Sequence, residues 1–214
     1  MPKVGMEPIR KEALVRATIE EIGRAGSLDV TVAQIAKRAG MSSALAHHYF
    51  GGKDQIFLAA MRHVLSVYGA QVRAALAAAD TPRQRVEAVI RSNFEPPNFR
   101  PEVISAWLSF YVLAQTRTPA RRLLRVYQNR LHSTLLFDLR QLIGERSDAA
   151  ATGIAAMIDG HYIRHALHDA PPNPLEATAS VLDYLDLVLS RDATADGDGD
   201  GNGLCGRDRV PLKQ

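Results

Sequence analysis

Thr31-Val-Ala-Gln-Ile-Ala-Lys-Arg-Ala-Gly-Met-Ser-Ser-Ala-Leu-Ala-His-His-Tyr-Phe-Gly-Gly-Lys53 decides the fold. Thr31 and Gln34 have capping-box spacing: a hydroxyl before the first turn, and a reciprocal amide three residues on. Val32, Ile35, Ala36 and Ala39 then fall on one apolar stripe, which predicts a helix over 32–39. Gly40 ends it and opens a tight turn through Met41. Ser42 or Ser43 caps a third short helix over 43–50. Two short helices joined by a glycine-containing turn make a helix-turn-helix, although an ordinary helical hairpin has the same pattern.

The third helix separates those readings. A purely structural helix of this length buries a stripe and exposes charge. This one instead carries Ser43, His47, His48 and Tyr49, and no carboxylate occurs from Ala33 to Lys53. Hydroxyl, imidazole and phenol groups hydrogen-bond phosphates and base edges, and an acid there would be repelled. The first 53 residues carry eight Lys or Arg against five Asp or Glu. The expected DNA-binding set is Thr31, Ser42, Ser43, Ala44, His47, His48, Tyr49 and Lys53. Within it Thr31, Tyr49 and Lys53 reach phosphates, while Ser43, Ala44, His47 and His48 face base edges.

Outward from this stretch the chain reads as all-α. Strand signals are nearly absent. Leu14, Ala17 and Ile22 recur at helical spacing in the first helix, opposite Arg10, Lys11, Glu20, Glu21 and Arg24. Thr81-Pro82, Thr118-Pro119 and Asn173-Pro174 each set a capping residue before a first-turn proline. Gly26, Gly40 and Gly144 mark helix ends. Nine helices are expected, near 8–25, 32–39, 43–50, 53–79, 82–94, 101–116, 119–143, 148–168 and 174–190. They divide into a DNA-binding unit (1–53) and a ligand-binding and dimerisation unit (54–190). Residues 191–214 form a tail expected to be disordered, because Asp196–Gly203 has almost nothing to bury. That run resembles a calcium loop, but its twelfth position is Arg207 rather than a bidentate Glu.

The bulk properties narrow the function. A net charge of +3 permits a nucleic-acid partner without demanding one. The single cysteine, Cys205, forms no disulfide within the chain, so a reducing cytoplasm is the natural compartment. Glu7 soon after Met1, with no apolar run behind it, argues against a signal peptide. The uncharged stretch Val103–Thr116 is too short for a membrane span and reads as a buried helix. No Gly-rich phosphate loop, G-x-S-x-G elbow or H-E-x-x-H is present. No catalytic, cofactor or metal motif is thus read from these residues, and the absence of catalysis is what the family resemblance described below implies. The rival from another class, a small all-helical enzyme whose first helices merely pack, would show turnover and no DNA affinity.

The Thr31–Lys53 stretch resembles the DNA-binding signature of the TetR family of repressors. Ala46 departs from it, standing where the family usually has a larger aliphatic residue, and His47 stands where Tyr is common. Asn93-Phe94, Ala106-Trp-Leu-Ser-Phe-Tyr111, Met157-Ile-Asp-Gly160 and Arg164-His-Ala-Leu167 are similar to that family's choline-responsive repressors of betaine synthesis. The resemblance implies a homodimer through the last two helices, a double-stranded operator with imperfect palindromy, and a cationic effector, choline, held by the middle helices.

Read from their own chemistry, Trp107 and Tyr111 are four apart and share a helix face, with Phe110 beside it. Tyr127 and Tyr162 stand on neighbouring helices, with Phe94 and Phe99 nearby. Aromatic faces attract a quaternary ammonium. Asp159, three residues from Tyr162, either presents a carboxylate to that cation or pairs with a base such as Arg164. The expected ligand set is Trp107, Phe110, Tyr111, Tyr127, Asp159 and Tyr162, although aromatics at this spacing also form ordinary core. His161, His165 and His168 recur on one helix face; a solvated or dimer-facing stripe is favoured over a metal site. Leu182, Leu185, Leu187, Val188 and Leu189 suit either a subunit interface or internal packing. Another cationic ligand, or a metal, is the alternative effector.

Overall fold

A computed structural model describes residues 5–27 and 29–195, the last five by backbone alone. The described residues form helices α1 (Met6–Ala25), α2 (Val32–Arg38), α3 (Ser43–Phe50), α4 (Lys53–Ala77) and α5 (Pro82–Phe94). α6 (Pro101–Thr116), α7 (Thr118–Ile143), α8 (Ser147–Ala166) and α9 (Pro174–Ala195) complete them, with a 3₁₀ turn at Gly144–Arg146. No strand occurs among the described residues. The run around Asp196–Gly203 and Cys205 lies outside them. α9 continues five residues past the boundary expected for the tail.

The sequence punctuation explains most boundaries. The Thr31 hydroxyl accepts the Gln34 N–H at 3.2 Å, and the Gln34 side chain accepts the Thr31 N–H at 2.7 Å. The same reciprocal box forms at Thr81 and Gln84. Asn173 accepts the Glu176 N–H at 3.2 Å. Ser42, rather than Ser43, caps α3, accepting the Leu45 N–H at 3.2 Å. Gly40 adopts φ 68°, where a β-carbon is disfavoured. The Met41 N–H then reaches back to the Ala36 carbonyl at 2.9 Å and closes α2.

Thr118 departs from its expected role. The extended residue is Arg117 (φ −115°, ψ 113°), so Thr118 is already helical and caps nothing. Arg117 is the entire joint between α6 and α7. Its Nε pairs with Asp54 Oδ2 at 3.1 Å, tying that joint to the first turn of α4.

α1, α2 and α3 form a head whose core includes Leu14, Ile22, Ile35 and Ala46, continuous with Ile56 and Met61 of α4. Arg38 of α2 pairs with both Glu20 and Glu21 of α1. α1 also packs on α6. There Gly23 brings the two backbones together: a β-carbon at Gly23 would lie 2.5 Å from Glu102 Cα. The body packs α4–α9 around fully buried Ile90, Phe94, Ile104, Phe110, Leu135, Leu139 and Ile154. Arg85 reaches into this body to bind Asp138, which is 1% exposed, at 2.8 Å.

Candidate DNA-reading surface and ligand site

α3 has one fully buried side chain, Ala46, with Tyr49 and Phe50 packed half-buried against the core. The rest of the helix is exposed or half-buried. α3 packs through this face on α2 and α4. Ser43, Ala44, His47 and His48 all lie exposed. His47 Nδ1 is 3.4 Å from the Gly51 carbonyl. Tyr49 is half-buried, with its ring beside His48 (5.6 Å between centroids) and the Lys11 ammonium 5.7 Å from its centroid. Lys53 is exposed at the first residue of α4. Thr31 is exposed at the start of α2, where its hydroxyl is engaged by Gln34.

One carboxylate approaches this surface from α1. Glu7 pairs with Lys11 at 2.6 Å. The Lys11 hydrogen bond and charge hold the Glu7 carboxyl below its ordinary pKa, with a small contribution from His48. Lys11 thus neutralises an acid close enough to His48 to feel its charge.

In the body, aromatic rings of α6, α7 and α8 converge on Trp107. Its ring lies 4.8 Å from Tyr127, 5.8 Å from Tyr111 and 6.1 Å from Tyr162, between centroids. Tyr68 of α4 stands edge-on to Tyr127 at 6.0 Å. Phe110 lies between Trp107 and Phe57, 5.8 and 6.2 Å away, and is fully buried. Of the expected ligand set, Phe110 is therefore a support behind Trp107, while Trp107, Tyr111, Tyr127, Asp159 and Tyr162 converge.

Asp159 is the charge in this aromatic cluster. The Tyr111 hydroxyl donates to its Oδ1 at 2.9 Å. Among the described residues no Lys, Arg or His pairs with it, so the alternative of an Arg164 partner is not realised. Burial pushes its pKa above the ordinary carboxylate range, against the Tyr111 hydrogen bond. The phenols of Tyr68, Tyr111, Tyr127 and Tyr162 are all pushed up, chiefly by burial and additionally by the Asp159 charge. One half-buried carboxylate thus acts electrostatically on four tyrosines and lacks a counter-cation. Such an arrangement attracts a large, weakly hydrated cation.

Tyr68 was not singled out by sequence reading. It sits inside the 25-residue helix α4, where an aromatic at helical spacing reads as core. Its Oη accepts from Asn93 Nδ2 at 3.1 Å. The Tyr162 hydroxyl donates to the Asn93 carbonyl at 2.6 Å and lies 3.2 Å from that of Asn98. Asn98 Nδ2 in turn donates to Gln71 Oε1 and the Ser92 carbonyl, at 2.6 and 2.7 Å. These amides lock the α5–α6 connection to α4 and α8, and with it the start of the helix that carries Trp107.

The histidine stripe is interrupted. His161 and His165 pack against Phe94 and Phe99 at 5.7 and 4.9 Å. α8 stops at Ala166, so His168 lies beyond it and accepts the Ala170 N–H at 3.1 Å. Burial, helped by the charges of His165 and Arg164, lowers the His161 pKa. Among the described residues no group of three His, Cys, Asp or Glu could hold a metal. None of the described helices is long and apolar enough to cross a membrane.

Residues 14–60 match the profile of bacterial regulatory proteins of the TetR family. Residues 82–190 match that of the BetI-type transcriptional repressor C-terminal region. The HTH-type transcriptional regulator BetI of Brucella anthropi is 55% identical over 190 residues, covering 88% of this chain and 98% of that protein. Its Agrobacterium fabrum counterpart is 48% identical, covering 88% and 92%. A regulator from Saccharomonospora viridis, solved in complex with choline, shares the fold at a TM-score of 0.73 and 21% identity, covering 82% and 95%. The chain belongs to the TetR family of bacterial transcriptional regulators, as a BetI-type repressor rather than an enzyme.

Proposed function

We propose that this repressor controls genes for converting choline to glycine betaine and leaves its operator when choline binds. The observation that carries the proposal is Asp159, a half-buried carboxylate without a counter-cation, surrounded by Trp107, Tyr111, Tyr127, Tyr162 and Tyr68. A trimethylammonium group donates no strong hydrogen bond, so aromatic faces and one negative charge are what recognise it. Each aromatic contact contributes about 0.5–2 kcal/mol when desolvated. Two or three suffice for micromolar-to-millimolar binding after ordering costs. The Saccharomonospora viridis regulator of the same fold, solved with choline, supports this choice.

The protein acts in the cytoplasm as a homodimer paired through α8 and α9. Two-fold pairing puts two recognition helices about 34–36 Å apart, one turn of DNA, and requires an imperfectly palindromic operator. Thr31, Tyr49 and Lys53 hold phosphates, Ser42 orders the start of α3, and Ser43, Ala44, His47 and His48 meet base edges. Choline shifts the population toward dimers whose α3 spacing no longer fits successive grooves; a coupling of about 1–3 kcal/mol is enough.

Calorimetry with choline, beside operator binding, tests the reading. The parent is expected to bind choline and lose operator affinity, and Trp107→Ala to lose both responses. No choline heat and no change in operator affinity at millimolar choline would refute the effector assignment.

A further inference from the structure

From α1, Lys11 reaches across to the recognition helix. Its ammonium stands 5.7 Å from the centroid of the Tyr49 ring on α3, within range of a cation–π contact. The same ammonium pairs with Glu7, one turn earlier on α1, at 2.6 Å. Glu7 in turn lies close enough to His48 for the charge of that imidazole to act on it. The start of α1 thus stands beside His48 and Tyr49, the α3 residues that meet a base edge and a phosphate on the reading proposed above. Glu20 and Glu21, further along α1, are turned instead to Arg38 of α2.

The Glu7–Lys11 pair carries little of the fold. The Lys11 and Glu7 side chains are 41% and 61% exposed, and the first buried residue of α1 is Leu14. An exposed pair of this kind is weak and exchanges readily with other partners. What holds the ammonium, an anionic oxygen beside an aromatic ring, is what a DNA phosphate would supply in the same place. Duplex DNA presents a dense row of such oxygens, and each phosphate neutralised by a lysine releases counterions, a gain that Glu7 does not offer. Phosphate and Glu7 therefore compete for one ammonium.

We infer that Lys11 is a further phosphate-binding residue of the repressor, held in the free protein by Glu7 as an intramolecular stand-in for the DNA backbone. The inference rests on the placement of α3 against DNA and adds the start of α1 to that surface. The Tyr49 ring keeps the ammonium on the α3 side, so exchange from carboxylate to phosphate needs only rotation within the flexible lysine stem. Because phosphates carry no sequence information, Glu7 lowers the affinity for every duplex alike.

The test measures binding of the full chain to two duplexes across a salt series. One has arbitrary sequence; the other is selected by the parent protein from a random-sequence pool. Lys11→Met keeps the apolar stem and removes the charge. It should weaken both duplexes about threefold or more and lower the slope of log affinity against log salt by about one. Lys11→Arg should keep the parent's slope. Glu7→Gln should strengthen both duplexes about threefold or more, and that gain should vanish in Glu7→Gln/Lys11→Met, where no ammonium is left to withhold. All variants should melt within about 2 °C of the parent, because both side chains are largely exposed. An unchanged salt slope in Lys11→Met, with or without a drop in melting temperature, would overturn the inference and make the pair a support of α1. A Glu7→Gln gain that persists without Lys11 would overturn it too, leaving Glu7 a simple repulsive charge. The α3 reading is scored separately by His48→Ala: unchanged preference among operator variants, with the slope still lowered in Lys11→Met, would count against base reading by His48 alone.

Discussion

On α3, Ser43, Ala44, His47 and His48 stand in solvent, held to the core by the methyl group of Ala46. In the body, Trp107, Tyr127 and Tyr162 are each at most 7% exposed, and they pack into one cluster with Tyr111, whose hydroxyl binds a carboxylate. The first surface has little folding energy invested in it. Its polar groups are hydrated, so they can be exchanged without unfolding the chain. The second is core and, on the proposed function, the ligand site as well. Any change there alters packing, the field at Asp159 and ligand affinity together.

Truncation inside the aromatic cluster probes this contrast most strongly. Phe110→Ala removes a fully buried ring between Trp107 and Phe57 and is expected to cost about 3–5 kcal/mol in urea denaturation. His48→Ala, on the exposed face, should stay within about 0.5 kcal/mol of the parent and change preference among operator variants instead. A His48→Ala loss as large as that of Phe110→Ala would erase the distinction between the two regions.

Removing the charge while keeping the shape is the next test. Asp159→Asn should weaken choline binding at least about tenfold, or ~1.4 kcal/mol. In the parent, burial raises the Asp159 pKa, so choline affinity should be complete above that raised value and fall as the pH drops through it. Stability runs the other way: the ionised carboxyl is the disfavoured form in the fold, so protonation of Asp159 contributes stability as the pH falls. The Asn variant should show neither dependence. Isothermal titration across pH 4–7 and thermal melts over the same range separate the two effects.

Smaller effects belong to the head. Thr31→Ala loses the cap of α2 and should destabilise the chain by about 1 kcal/mol by thermal unfolding. Comparable operator affinity after correction for folding would remove Thr31 from the phosphate contacts. Lys53→Ala should leave melting unchanged and reduce the slope of log affinity against log salt by about one. An unaltered slope would mean that Lys53 meets no phosphate.

The head was legible because its signals are local. The capping box at Thr31 is set by residues three apart, as is the one at Thr81 in the body, and Gly40 marks its own turn. Thr118 was misread because its role depends on the backbone of Arg117, which a single residue between two helices forces to be extended. The aromatic cluster was legible in part. Trp107, Tyr111, Asp159 and Tyr162 occur in pairs at helical spacing, whereas Tyr68 stands alone on α4 and joins them through the packing of α4 on α7. His168 was assigned to a helical stripe because no glycine or proline marks the end of α8 two residues earlier.

Gly23 has a consequence for modularity. Where α1 meets α6, a β-carbon on Gly23 would stand 2.5 Å from the Glu102 Cα and 2.6 and 2.7 Å from its Cβ and Cγ. Most joints between a reader and a sensor are cushioned by flexible side chains and can be recombined with modest repacking. Here a transplanted head brings its own residue to that point. An alanine would already collide with the Cα and Cβ of Glu102, which no change of rotamer moves away. Chimaeras that graft foreign heads onto this body should therefore assemble only when the donor has glycine at the position of Gly23.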